Sequence, residues 1–261
     1  MVETATASVF HRFMTSGRTS PMLATCVIHG NEDVDVVVKL NGSMDFGARG
    51  AVFELVGSLM ANKLGIECPR PFLVRLSQEF IDAVCLREPM KAEPLRKSIG
   101  WNFGSEMLKD AAIWAEDAPI PLAMVSDALK IFSFDGLTQN ADRCHGNPNL
   151  MIRGDKLTVI DHECAFSFLS SILPSSKPWA MGAGDYMERH ALGRRLKGAN
   201  LDWLACRESL SHLTVEFFDA ISEATPSEWD GEKVIAAIKQ HVLTVVEHAD
   251  LFEGELQRRI A

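Results

Sequence analysis

The stretch Asn140-Ala141-Asp142-Arg143-Cys144-His145-Gly146-Asn147-Pro148-Asn149 gathers the side chains with the most definite chemistry in the chain. Within it Asp142 and Asn147 form the pattern D-x-x-x-x-N. Two short apolar runs follow, Leu150–Arg153 and Lys156–Ile160, parted by Gly154-Asp155, and then comes Asp161. A loop aspartate can take the proton of an attacking hydroxyl. An asparagine five residues later can ligate Mg²⁺, and an aspartate closing the next strand can hold the metal that bridges nucleotide phosphates. Asn and Asp supply the hard oxygen donors that Mg²⁺ takes. The two runs with their Gly-Asp turn predict a hairpin, which would return Asp161 beside Asn147 across 14 residues. The chemistry this pattern fits is phosphoryl transfer.

A second set of residues in the first half has matching chemistry. Lys39 closes the run Val36-Val37-Val38-Lys39-Leu40, a place from which an ammonium can pair with phosphates, and Glu54 lies in the next predicted helix, where it can orient that lysine. A glycine-rich phosphate loop of the G-x-G-x-x-G kind is missing. The best substitute is Ser16-Gly17-Arg18-Thr19-Ser20, ahead of the first predicted strand, whose backbone N–H groups could cradle phosphate.

These residues need elements to position them. Met22–His29 and Val34–Leu40, joined by Gly30-Asn31-Glu32-Asp33, predict a hairpin. A polar, glycine-rich loop over 41–50 leads to a helix over 51–64, with Val52, Leu55, Val56, Leu59 and Met60 at helical spacing and Gly65 just past its end. Residues 72–76 and 81–86 are expected as further strands, and the Pro- and Gly-interrupted stretch 87–121 as the connection between two lobes. Helix signals dominate afterwards: Ser126 as an N-cap, then long amphipathic helices over 201–224 and 232–259, parted by Pro226 and Gly231.

The chain's 261 residues suffice for one large domain, and 47% hydrophobic with 23% charged residues is an ordinary globular composition. A net charge of −9 disfavours binding nucleic acid over a broad basic face. No run of 18 apolar residues predicts a membrane span. The first 20 residues carry no secretory pattern and the six cysteines form no C-x-x-C pair, so reduced thiols and a cytoplasmic location are expected. Cys144-His145 and Asp161-His162-Glu163-Cys164 fit no zinc-site spacing.

Taken together, the ordered motifs resemble the HipA-like kinase family, in particular its short stand-alone branch. The similarity is carried by V-V-V-K-L at 36–40, E-L-V-G-S-L-M-A-N-K-L-G-I-E-C-P at 54–69, F-G-S-E at 103–106, N-A-D-R-C-H-G-N-P-N-L-M at 140–151, V-I-D at 159–161 and P-S-E-W at 226–229, and it spans roughly 17–255. The resemblance implies an α+β, two-lobed protein-kinase-like fold, with a β-rich N-lobe over 1–90 and a mainly helical C-lobe over 91–261. It implies ATP and Mg²⁺ as cofactors, a protein Ser/Thr acceptor and a regulatory partner protein. Asp142 would be the catalytic base, Asn147 and Asp161 the metal ligands, and Lys39 with Glu54 the phosphate-pairing couple. In the related phosphatidylinositol kinases the motif reads D-R-H-x-x-N, whereas Cys144 stands here in the histidine's place. A small-molecule or lipid kinase on the same fold, and a nucleotide-binding pseudokinase acting as an interaction module, are the competing readings.

Overall fold

Alternating apolar residues of the N-terminal strands fill the interior of one closed barrel. The computed structural model of the chain describes residues 2–15, 19–30, 32–115, 117–170, 175–181 and 186–261. Strands β1 (Glu3–Phe13), β2 (Met22–Val27), β3 (Asp33–Lys39), β4 (Pro71–Leu76) and β5 (Gly100–Glu106) close in the order β1-β2-β3-β5-β4. β4 runs parallel to β1, and the other neighbours are antiparallel. Burial alternates along β2, with Met22, Ala24 and Cys26 inward, as a period-two strand requires. Val36, Val38, Phe72, Val74 and Leu76 complete the interior. Register shifts between Ala7 and Val9 and between Phe10 and Arg12 mark irregularities that bend β1 round the barrel.

Two stretches differ from the sequence expectation. Residues 81–86, expected as a strand, belong to helix α2 (Gln78–Arg87). Ser77 caps it, its hydroxyl accepting the Phe80 N–H at 3.2 Å. Ile81, Val84 and Cys85 lie at helical spacing, and they join Leu95 of α3 (Ala92–Arg96) in the barrel's apolar cluster. The stretch 87–121, expected as a connection, contains β5. Gly104, one of the glycines that interrupt the stretch, is a packing requirement, since a Cβ there would lie 2.6 Å from both Val36 and Val74 side chains. β1 itself, outside the expected set, supplies the first barrel wall.

Helix α1 (Ala48–Lys63) is buried on almost every face, as a helix between two packed bodies must be. Its Val52, Leu55 and Val56 share one apolar cluster with Leu73 and Phe103 from the barrel wall and with the C-terminal helices. That half holds α4 (Val125–Thr138), the sheet β6-β7-β8 (Ala111–Ile113, Leu150–Arg153, Lys156–Val159), α5 (Gly193–Leu196), α6 (Trp203–Leu210), α7 (Val215–Ala224), α8 (Glu232–Glu247) and α9 (Ala249–Ile260). The hairpin β7–β8 forms as expected, with Gly154 in the left-handed region at φ 62°. Ser126 is not the cap of α4. Met124 occupies that position, preceded by a short 3₁₀ turn. The long helix expected over 201–224 is broken by Thr214, whose hydroxyl caps α7 through Phe217 N–H. The one over 232–259 breaks at His248, which stacks on Trp179 with ring centroids 3.9 Å apart. The architecture is thus mixed α+β. Among the described residues no helix is long and apolar enough to cross a membrane, and the six cysteines are free thiols.

Candidate active site

Two groups of polar side chains lie on the segments that flank the β7–β8 hairpin. The first is centred on Lys39, the last residue of β3. Its Nζ ion-pairs with Glu54 Oε1 of α1 and, at 2.8 Å, with Asp161 Oδ1 beyond β8. Glu54 Oε1 also accepts the His162 N–H at 3.0 Å. The three side chains are 12%, 2% and 39% exposed in the order Lys39, Glu54, Asp161, so only Asp161 opens to solvent. Burial alone would lower the Lys39 pKa, but the two carboxylates overcome it and hold the ammonium charged well above the usual lysine range. Burial raises Glu54 to about 7 against the opposing pull of Lys39. Asp161 is held at about 2, because Lys39 outweighs the effect of burial.

The close seating of the 161–163 segment on α1 follows from two glycines flanking Glu54 on one helix face. A Cβ at Gly57 would stand 2.6 Å from His162 Cβ, and one at Gly50 would stand 3.2 Å from Glu163 Oε1. Asp161 itself sits at φ 62°, a left-handed conformation that Asp tolerates better than most residues. Glu163 Oε1 accepts the Asp45 N–H at 2.7 Å and so ties the loop ahead of α1 to the same segment. His162 is buried among Phe134 and Cys68 and driven by burial to a pKa of about 3, so it is neutral.

The second group lies on the loop after α4. Asp142 Oδ2 accepts from Asn147 Nδ2 at 2.9 Å and from Asn149 Nδ2 at 3.1 Å. The Ile160 N–H donates to Asn149 O at 3.1 Å, which closes the hairpin one residue before Asp161. Asn149, which holds Asp142 through its side chain, is therefore bonded through its backbone to the residue before Asp161. Cys144 and His145 are held through backbone bonds, Cys144 N–H to Asp142 O at 2.9 Å and His145 N–H to Arg189 O at 3.0 Å.

Beneath both groups is Asp135, fully buried on α4 among Phe132, Phe134 and Leu137. Its carboxylate accepts from Arg143 Nε at 2.6 Å, His190 Nε2 at 2.9 Å and Asn140 Nδ2 at 3.2 Å. Arg143 and His190 hold Asp135 below the ordinary carboxylate range even though burial would raise it. Arg143 then donates through Nη1 to Asn149 O at 2.5 Å and Ile160 O at 3.2 Å, while Asn140 Oδ1 accepts the Asp142 N–H at 3.1 Å. One buried carboxylate thus fixes both the Asp142 loop and the strand end before Asp161. The sequence assigned no role to Asp135 or His190, and none to Asn140 and Asn149 within the singled-out stretch. An acid inside an apolar helix face was the available signal for Asp135. For His190, 47 residues beyond Arg143, there was none.

The expected phosphate loop is only partly visible. Ser16, Gly17 and Arg18 lie outside the described residues. Thr19 and Ser20 line a cavity of about 360 Å³ with Gly42, Ser43, Lys91 and Lys97, and Lys39 is not part of its wall. Among the described residues no three His, Cys, Asp or Glu side chains cluster as a metal site.

The model of the HipA-like kinase family matches residues 7–245. No curated protein sequence matches the chain. Among solved structures, a Helicobacter pylori proinflammatory kinase, CtkA, is similar over 94% of this chain and 97% of its own, with a TM-score of 0.50 and 10% sequence identity. At that identity the likeness concerns the fold alone, whereas the family match spans nearly the whole sequence and shows that this chain belongs to the HipA-like kinase family.

Proposed function

We propose that this kinase transfers the γ-phosphoryl group of ATP, with Mg²⁺, to a serine or threonine hydroxyl of a protein. The observation that carries the reading is Lys39, held charged between Glu54 and Asp161 at the edge of the Asp142 loop. A nucleotide phosphate can draw Nζ away from Asp161 while Glu54 keeps its direction, as phosphoryl transfer requires of such a lysine.

The donors present suit Mg²⁺. Asp161 stays anionic down to about pH 2 and its carboxylate is partly exposed. Asn147 engages Asp142 through its amide nitrogen, and the other atom of that amide is a carbonyl oxygen. Asn147 and Asp161 would hold the ion, which when bound neutralises charge on the phosphates. Asp142 accepts both amide bonds on Oδ2, which leaves Oδ1 for the acceptor hydroxyl. It orients that hydroxyl and takes its proton as oxygen bonds to the γ-phosphorus and ADP departs. The stretch 16–20, of which only Thr19 and Ser20 lie among the described residues, stays in this reading as the source of backbone N–H groups for phosphate. In this reading the barrel with α1, approximately 1–90 together with β5, is the nucleotide-side lobe, and the remainder to 261 is the lobe of the Asp142 loop. Free thiols accord with a cytoplasmic protein, and a regulatory partner protein remains part of the proposal.

Purified protein with γ-labelled ATP and Mg²⁺, followed for label on itself and on lysate proteins, tests the reading beside Asp142→Ala. Label that needs Asp142 supports it. Label on lipid or small molecules alone would make it a kinase of another acceptor. ATP/Mg²⁺ stabilisation in a melt without any transfer would make it a pseudokinase.

A further inference from the structure

The P-S-E-W motif at 226–229 lies far from Asp142 in sequence, and none of the chemistry above uses it. We propose that Glu228 and Trp229 are positioning residues: their turn grips the backbone of Trp101 and thereby sets Lys39 against Glu54 and Asp161. Its nucleotide readout rests on the function proposed above.

Ser227–Trp229 is a single 3₁₀ turn between α7 and α8. Trp229 is 4% exposed, and a Cβ on Gly231 just beyond would stand 2.9 Å from Val52 Cγ2 of α1, so the turn is pressed onto α1. From there both of its side chains reach the start of β5. The Trp101 N–H donates to Glu228 Oε1 at 2.7 Å, and Trp229 Nε1 donates to Trp101 O at 3.0 Å. Gly100, at φ 104°, makes room, since a Cβ there would lie 2.7 Å from the Glu228 carboxylate oxygen.

The place gripped is where β3 stops. The β3–β5 ladder runs from Val36↔Glu106 to Lys39↔Phe103 and goes no further. Beyond it Trp101 O receives a second donor, Asn41 Nδ2 at 2.9 Å, alongside Trp229, which a carbonyl with two lone pairs accommodates. The Asn41 N–H donates to Asn102 Oδ1 at 3.0 Å, and the Gly42 N–H to Ser98 Oγ at 2.9 Å. Asn102 is fully buried and anchored through Nδ2 to Ser98 O at 2.6 Å. Residues 41–42 are thus pinned to 98–102, and 100–101 are pinned to the turn at 228–229. Lys39, two residues before Asn41, inherits its position relative to α1 from that chain of bonds.

The test compares Glu228→Ala, Glu228→Gln and Trp229→Phe with the wild type by amide hydrogen exchange and by ATP titration. Glu228 is exposed, so Glu228→Ala is expected to keep its fold, and Gln keeps an acceptor for the Trp101 N–H. Exchange should quicken roughly tenfold in Glu228→Ala and Trp229→Phe at the Asn41 and Gly42 amides and at His162, whose N–H rests on the Glu54 oxygen shared with Lys39. ATP affinity should weaken several-fold in the same two variants, with Glu228→Gln near the wild type. Unchanged exchange at those amides in folded Glu228→Ala overturns the proposal, and so does faster exchange with wild-type ATP affinity. If the wild type binds no nucleotide, the proposed function fails, while the exchange data alone still decide whether the turn positions Lys39.

Discussion

Lys39 Nζ and Asp161 Oδ1 are 2.8 Å apart although 122 residues separate them. This ion pair joins the end of a barrel strand to the end of a hairpin in the helical half, with Glu54 of α1 as the third member. Because Lys39 and Glu54 are almost wholly buried, removing one partner leaves an uncompensated charge rather than a lost surface contact.

Lys39→Met is therefore expected to lower stability by about 3–5 kcal/mol and phosphotransfer by about 100-fold or more. The stability loss should depend on pH. Glu54 has a folded pKa of about 7, above its ordinary 4.5, even with Lys39 present. The folded state thus binds more protons than the unfolded state between those values, and stability falls as pH rises through the window. Without Lys39 the Glu54 pKa rises further. Melting temperatures at pH 5.5 and 8 should diverge more in Lys39→Met than in the wild type, and equal differences would refute this account.

His162 sets the acid limit. Its folded pKa is about 3 against an ordinary 6.5. A depressed histidine contributes stability that is complete above the unfolded value and is lost as pH falls toward the folded one. At ~1.4 kcal/mol per tenfold change in proton affinity, the loss reaches a few kcal/mol. His162→Gln should flatten the fall in melting temperature between pH 6.5 and 4. A slope as steep as the wild type's would place the acid sensitivity elsewhere, with His241, driven by burial to about 4, the next group to replace.

Asp135→Ala leaves Arg143, itself fully buried, without its carboxylate, and should cost about 3–5 kcal/mol. The double variant Asp135→Leu/Arg143→Met replaces the buried pair with apolar groups and should recover most of that stability. It should remain inactive, because the Arg143 bonds to Asn149 O and Ile160 O are gone. Thermal melts and labelled-ATP transfer check both halves, and an active double variant would show that Asp135 serves folding alone.

Gly57→Ala and Gly254→Ala are the same helical substitution with opposite expected signs. Alanine in a helix gains up to about 1 kcal/mol over glycine. Gly254 in α9 has open space for a Cβ, so the gain should appear as a higher melting temperature. At Gly57 the Cβ would meet His162 Cβ at 2.6 Å. That variant should melt lower and transfer phosphate more slowly, since the 161–163 segment must move off α1.

The elements legible in the sequence were those whose pattern is local. The apolar run ending in Lys39, helix α1 and the Gly154-Asp155 hairpin each announce themselves within a few residues, because strand alternation, helical spacing and turn chemistry are short-range effects. Where two local signals compete, the tertiary structure decides: the apolar residues at 81–86 fit a strand as well as a helix, and the Ser77 cap favours the helix; Gly104 has the composition of a break, yet the barrel wall requires a residue without Cβ there.

By itself the sequence determined the family: the ordered motifs around Lys39, Glu54, Asp142, Asn147 and Asp161 resemble HipA-like kinases, a membership the family match shows, and they lie on elements the local pattern could name. Only the tertiary structure decided how those groups are held. The Asp135 network, the glycine-floored seat for 161–163 and the Glu228–Trp229 grip on Trp101 join residues up to 128 positions apart. Their energies come from burial and from desolvated hydrogen bonds, which exist only once distant segments have excluded water between them. No spacing along the chain encodes that exclusion.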